Sequence, residues 1–147
     1  MDEYNKVLAS LVSKVKREII RETGNRYNSE TGNVFVKNKY AILLAQIGEK
    51  DRAEGVLLEA LDLSPENPSV LNNLGNLYFM ESDSENAIKY YKLAADADRG
   101  DGEIRINVCR AFLLGGDKEQ ARTWYNKAIE MEPQLSSLYD YLKTEVK

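Results

Sequence analysis

The chain has no histidine. That removes the commonest general base and the commonest zinc ligand. Its one cysteine, Cys109, cannot close an intrachain disulfide, so no disulfide framework holds the fold. No run of about 18 apolar residues occurs, so nothing is expected to span a membrane. The N-terminal stretch MDEYNKVLASLVSKVKREII is broken by Lys6, Ser13 and Lys14 and lacks the apolar core of a signal peptide. Positive charge is also short: the net charge is −4 and the pI about 5.0, which leaves no basic field for a nucleic-acid backbone. No HExxH is possible, and neither GxSxG nor a glycine-rich phosphate loop is present. The expectation is a soluble, cytoplasmic, non-catalytic chain without metal or organic cofactor. The sequence is equally compatible with a piece of a longer protein.

What the chain does have is globular composition, 43% apolar and 30% charged, over 147 residues. It also repeats itself. Ala53, Ala87 and Ala121 are spaced by 34, as are Ala60, Ala94 and Ala128. Leu57, Tyr91 and Tyr125 form a third column, Tyr40, Leu74 and Val108 a fourth, and Leu44, Tyr78 and Phe112 a fifth. A small-residue column runs Ala41, Gly75, Cys109, and turn-type residues recur at Gly48, Ser82 and Gly116. The units are 34–67, 68–101 and 102–135. Each reads as two helices: in the middle unit, 68–81 and 84–97 flank a turn at Ser82-Asp83. Asp83 and Asp117 are natural N-caps, and Gln120 makes a capping-box-like pair with Asp117. Pro65 and Pro133 close the first and third units, because proline cannot continue a helix. The middle unit has Arg99-Gly100 there.

On these residues the chain resembles the tetratricopeptide-repeat (TPR) family. The middle unit meets the family pattern with Leu71, Leu74-Gly75, Tyr78, Ala87, Tyr91 and Ala94. The third meets it with Val108-Cys109, Phe112, Ala121, Tyr125, Ala128 and Pro133, and the first with Tyr40-Ala41, Leu44, Ala53, Leu57, Ala60 and Pro65. Lys37 and Arg105 depart from it by replacing the first aromatic. The resemblance implies an all-α fold, an α-α superhelix or TPR solenoid, over a domain 34–147. Residues 136–147, with Tyr139, Leu142 and Val146 at helical spacing, are expected to form the capping helix that covers the last repeat.

Residues 1–33 lie outside the repeat. Over 2–22, Tyr4, Leu8, Leu11, Val15 and Ile19, flanked by Val7, Val12 and Ile20, make an amphipathic helix with a wide apolar stripe. TGNRYNSETGN, residues 23–33, reads as a polar loop. The stripe needs a cover. Either the helix caps the first repeat, or it pairs with a second chain or the rest of a longer protein; a homo-oligomer would use Leu8, Leu11, Val15 and Ile19. A membrane-surface helix is disfavoured, since Asp2, Glu3, Glu18 and Glu22 dilute the charge of Lys14, Lys16, Arg17 and Arg21.

Cys109 falls in the column of Ala41 and Gly75, so it reads as a small packed residue rather than a nucleophile. Gly115-Gly116 reads as a turn and Trp124 as packing. In the family the first helix of each pair lines the concave side, which binds peptides or partner proteins. That implies a non-catalytic adaptor. The alternatives are a scaffold self-associating through the 2–22 helix, or the docking module of a larger enzyme or complex. The groove face carries Asn38, Lys39, Ile42 and Gln46 in the first unit. It carries Asn72, Asn73, Asn76, Phe79 and Met80 in the second, and Ile106, Asn107, Arg110 and Leu114 in the third. Asn73 and Asn107 resemble the asparagine ladder by which some TPR proteins hold a peptide main chain, with Lys39 in the equivalent place. Lys39 and Arg110 are suited to a carboxylate. Phe79, Met80 and Leu114 are suited to an apolar side chain. The family's clamp for chaperone tails is not matched. Asn38, Ile42, Glu103 and Asn107 stand where a lysine, an asparagine, a lysine and an arginine are wanted, and only Asn73 agrees.

Overall fold

A computed structural model of the chain describes residues 2–147. The 34-residue register appears in it as helix boundaries. The first helices of the pairs are α2 (Val34–Gln46), α4 (Pro68–Met80) and α6 (Gly102–Leu114); the second helices are α3 (Lys50–Leu63), α5 (Ser84–Ala97) and α7 (Lys118–Met131). Every start and end recurs at an offset of 34. Before these lies α1 (Glu3–Ser29), and after them α8 (Leu135–Leu138) and α9 (Leu142–Glu145); no strand occurs among the described residues. The described chain forms two compact units, Met1–Leu63 and Ser64–Lys147.

The boundaries recur because their capping chemistry recurs. Asn33, Asn67 and Asp101 cap the first helices, each side chain accepting from the N–H three residues on. Asp83 and Asp117 cap α5 and α7 in the same way, accepting from Asn86 and Gln120. The capping box at Asp117 is only half made, since the Asp117 N–H donates to the Phe112 carbonyl instead. That bond belongs to a repeated Schellman closure. Glu49, Asp83 and Asp117 N–H groups donate to the carbonyls of Leu44, Tyr78 and Phe112, and those of Gly48, Ser82 and Gly116 to Ala45, Phe79 and Leu113. The closure needs a left-handed residue, and φ is +85°, +60° and +83° at Gly48, Ser82 and Gly116.

Within each pair the helices touch through small residues. Ala53, Ala60, Ala87, Ala94, Ala121, Ala128 and Cys109 are fully buried, and Ala41 is nearly so. At Gly75 the approach is closest: a Cβ there would stand 2.4 Å from Tyr91 Cδ1 and 2.6 Å from its Cε1. Val36, Val70 and Ile104, another column at the same offset, are also buried.

Two expectations at the ends are corrected. The stretch 23–33 is helical as far as Ser29, so the loop is confined to residues 30–33. Polar composition misleads here because tertiary contacts hold the helix. Thr23 is buried, Gly24 lets the Tyr40 ring approach to 3.3 Å of where a Cβ would be, and the Tyr27 and Tyr40 ring centroids lie 5.0 Å apart. The buried Lys37, at a position where the family pattern has an aromatic, donates to Glu59 Oε2 at 2.5 Å and lies 4.6 Å from the Tyr27 ring centroid. Tyr27 Oη donates to the same carboxylate at 2.9 Å. The second half of α1 therefore docks on the first helix pair through Tyr27. The first half does not cap that pair: Tyr4, Val7, Leu8, Leu11, Val12, Val15 and Ile19 are all exposed.

At the other end, 136–147 is not one helix but two single turns, α8 and α9. Ser136, Ser137 and Asp140 are weak helix formers. Arg122 fixes the chain end from the side, donating to the carbonyls of Val146 (2.7 Å) and Lys147 (2.6 Å). The covering role stands: Leu135, Leu142 and Val146 are buried in one cluster with Ile106, Cys109 and Tyr125. Trp124 packs against it.

Three measurements test this packing. Gly75→Ala gains helix propensity worth about 1 kcal/mol but drives a methyl into a buried ring, so a net loss of ~1–2 kcal/mol is expected, read as a lower urea midpoint at unchanged slope. Ser82→Gly removes left-handed strain and should stabilise by about 0.5–1 kcal/mol on the same assay. The hydrogen bond from Lys37, aided by that from Tyr27, holds the Glu59 carboxyl below its ordinary value of 4.5. Its contribution is complete above pH 4.5 and is lost as pH falls through the depressed value. Glu59→Gln should therefore cost ~1 kcal/mol at neutral pH, half of the carboxylate being exposed, and its melting temperature should converge on that of the parent in acid.

Candidate functional site

The packing columns fix which residues of each first helix point away from its partner helix. In the unit Ser64–Lys147 these residues form two hydrogen-bonded polar groups. Asn107 Nδ2 donates to Asn72 Oδ1 at 3.0 Å, tying α6 to α4. Arg110 Nη1 reaches Asn107 Oδ1 at 3.4 Å, and its guanidinium carbon lies 4.9 Å from the Phe79 ring centroid. Asn76 Nδ2 donates to Asn73 Oδ1 at 3.3 Å. Around these groups Met80 and Leu114 are exposed, at 56% and 40%. An arginine stacked on a ring and held by one amide keeps most of its donors for another partner.

Asn73 and Asn107 hold equivalent places one repeat apart, and the bond between the two helices joins Asn72 to Asn107. Asn76 has a structural duty, since Tyr91 Oη donates to its Oδ1 at 2.7 Å. Burial pushes the Tyr91 hydroxyl up to about 12, so it remains a donor at neutral pH. Thirty-four residues on, Arg110 stands in the place of Asn76 and Tyr125 in that of Tyr91. Arg110 turns to Asn107 and Phe79, and the buried Tyr125 hydroxyl has no hydrogen-bond partner among the described residues.

Ile106 does not belong to this face. It is fully buried, because the C-terminal turns cover α6 at that position. On α2, in the other unit, Asn38 is half-buried, Lys39 exposed and Ile42 38% exposed. Sequence reading also missed the cap column Asn33, Asn67, Asp101, although it carries the same 34-residue signal.

Cys109 is buried among α6, α7 and the C-terminal turns, and burial pushes its thiol up to about 11. It is a packed small side chain and not an activated nucleophile. Among the described residues no group of three or more metal-ligating acidic or cysteine side chains comes together, and no helix is long and apolar enough to cross a membrane.

Comparison with known proteins agrees with this architecture. Two tetratricopeptide-repeat family models match residues 40–102 and 78–146. A TPR repeat-containing protein of Bacillus subtilis (strain 168), YpiA, is 24% identical over 84% of this chain and 37% of its own length, so the chain spans well under half of that relative. A thermophilic TPR protein of Thermus thermophilus superposes with a TM-score of 0.78 at 17% identity, over 92% of this chain and 75% of its own. MamA from Desulfovibrio magneticus RS-1 does so at 0.73 and 18%, over 97% and 86%. The first TPR domain of Spaghetti (RPAP3), bound to an HSP90 peptide, superposes at 0.70 and 20%, over 76% and 89%. With repeat register, helix boundaries, turn conformation and family models all in agreement, the chain is a member of the tetratricopeptide-repeat family.

Proposed function

We propose that this chain is a non-catalytic adaptor that binds an extended peptide segment or partner protein. The binding face would be the side of α4 and α6 that carries Asn72, Asn73, Phe79, Met80, Asn107, Arg110 and Leu114. Asn38, Lys39 and Ile42 hold the corresponding sequence positions on α2. The observation that carries the reading is Arg110. A residue like Asn76 in its place would satisfy the Tyr125 hydroxyl, as Asn76 satisfies that of Tyr91. The chain instead leaves a buried polar group unpaired, which costs about 1–3 kcal/mol, and directs a cation along the polar face. The arginine's own contacts, one hydrogen bond to Asn107 and the Phe79 ring, leave that buried hydroxyl unserved, and departures of this kind concentrate at functional positions.

The neighbouring asparagines offer both donors and acceptors, which suits main chain without regard to its sequence. Arg110 adds a bidentate site for a carboxylate, and Met80 with Leu114 offers apolar contact beside it. The Spaghetti domain shows that a repeat array of this fold holds a peptide. This chain differs in having Glu103 where the chaperone-tail clamp needs a lysine, so the carboxylate would be an acidic side chain rather than that tail.

Display of a random peptide library to the purified chain should enrich extended peptides with a carboxylate. Arg110→Asn should weaken the enriched peptides about tenfold or more while leaving stability unchanged or raised. Asn73→Ala combined with Asn107→Ala should weaken them by ~1 kcal/mol or more with helicity intact. Enriched peptides that bind both variants as tightly as the parent would remove the site from this face.

A further inference from the structure

The apolar stripe of α1 repeats with a rhythm of its own. Tyr4, Leu8, Leu11 and Val15 alternate at spacings of four, three and four, the seam of a helix pair, with Val7 and Val12 beside it. These six side chains are between 45% and 72% exposed. Exposed apolar side chains grouped along one helix stripe and rimmed by charged residues mark an interaction face. The docked end of α1 contributes nothing to its cover, since its contacts run through Thr23, Gly24 and Tyr27.

The geometry points to a second copy of this chain as the occupant, with the two α1 helices antiparallel. Pairing each residue with its mirror about the midpoint of Ala9 and Ser10 sets Tyr4 against Val15 and Leu8 against Leu11 of the second copy. Residues 4, 7, 8, 11, 12 and 15 map onto themselves, which is what a two-fold interface requires, and Ile19 lies beyond this set. Charge agrees. The first turn carries Asp2 and Glu3, and the later part carries Lys14, Lys16 and Arg17. Antiparallel, Lys14 lies on the same flank as the second copy's Glu3 and Val7, so acidic ends meet basic ones and helix dipoles oppose. A parallel pair is opposed by the sequence. The next two positions of the seam are Glu18 and Glu22, which a parallel pair would bring against their own copies.

The test uses the full chain in sedimentation equilibrium from about 1 to 200 µM, the range in which a small helix interface associates. The mass should rise from 16.7 kDa toward twice that value. Leu8→Glu with Leu11→Glu should stay monomeric at every concentration, and its melt should match that of the parent at the low end of the range, because both side chains are exposed in the single chain. Orientation is read independently. A mixture of the Tyr4→Cys and Val15→Cys proteins should oxidise to the mixed disulfide in preference to either homodisulfide, the buried Cys109 taking no part. A parent chain that is monomeric throughout overturns the second copy as occupant. Homodisulfides in excess of the mixed species overturn the antiparallel register.

Discussion

Each helix pair in this chain closes on side chains that are small. Where the axes approach, the first helix offers Ala41, Gly75 or Cys109, and the second offers Ala53 and Ala60 or their equivalents 34 and 68 residues on. The larger member of the contact comes from the second helix: Leu57, Tyr91 or Tyr125. Close-packed interiors tolerate neither a void nor an added methyl. The small positions therefore fix both the separation and the rotation of the two helices. Everything else follows from that rotation. Once one face of α4 is committed to Leu71, Leu74 and Gly75, the residues between them can only face elsewhere, and those are asparagines.

Departures from the repeat are informative because this constraint is so uniform. At position 37 the aromatic of the pattern is replaced by a buried lysine, and its charge is met by Glu59 on the second helix. That carboxylate accepts from Tyr27 as well. A substitution that looks like the loss of an apolar contact is thus the means by which a helix outside the repeat is attached. At position 110 the asparagine that serves Tyr91 gives way to arginine, and there the departure satisfies no buried partner. At position 37 the exchange is met by Glu59 and Tyr27, whereas at position 110 the arginine bonds Asn107 and stacks on Phe79 but leaves the Tyr125 hydroxyl without a partner.

Helix boundaries, turn positions and the small-residue column were legible in the sequence because each depends on residues within a few positions of one another, repeated three times. The Schellman turns are local chemistry, and so are the aspartate caps. The errors fell where the deciding contacts are distant. Residues 23–29 are poor helix formers on their own; Tyr40 and Glu59 hold them, and neither is visible from composition. Residues 136–147 have the right stripe, but Arg122 fixes the path of their backbone. Ile106 has groove spacing and lies buried because the chain end folds over it. On the polar face, the spacing marked the residues that lie off the packing columns of α4 and α6. It did not show that Asn107 would bond to Asn72, because that depends on how one repeat stacks on the next.

The same contrast between local and distant control divides α1. Its second half is polar by composition yet anchored, and its first half is apolar yet uncovered. A helix held at one end needs no further contact to persist for several turns, since propagation costs far less than nucleation. The docked turns thus serve as the nucleus for the exposed ones. Stability of the first helix pair cannot account for side chains that do not touch it. Their spacing nevertheless keeps a strict seam over four positions, ends at Glu18 and reads the same from either end. A pattern with a seam, a boundary and a two-fold centre is specified by something that lies against it, and the surface on this chain that matches it residue for residue is the stripe itself.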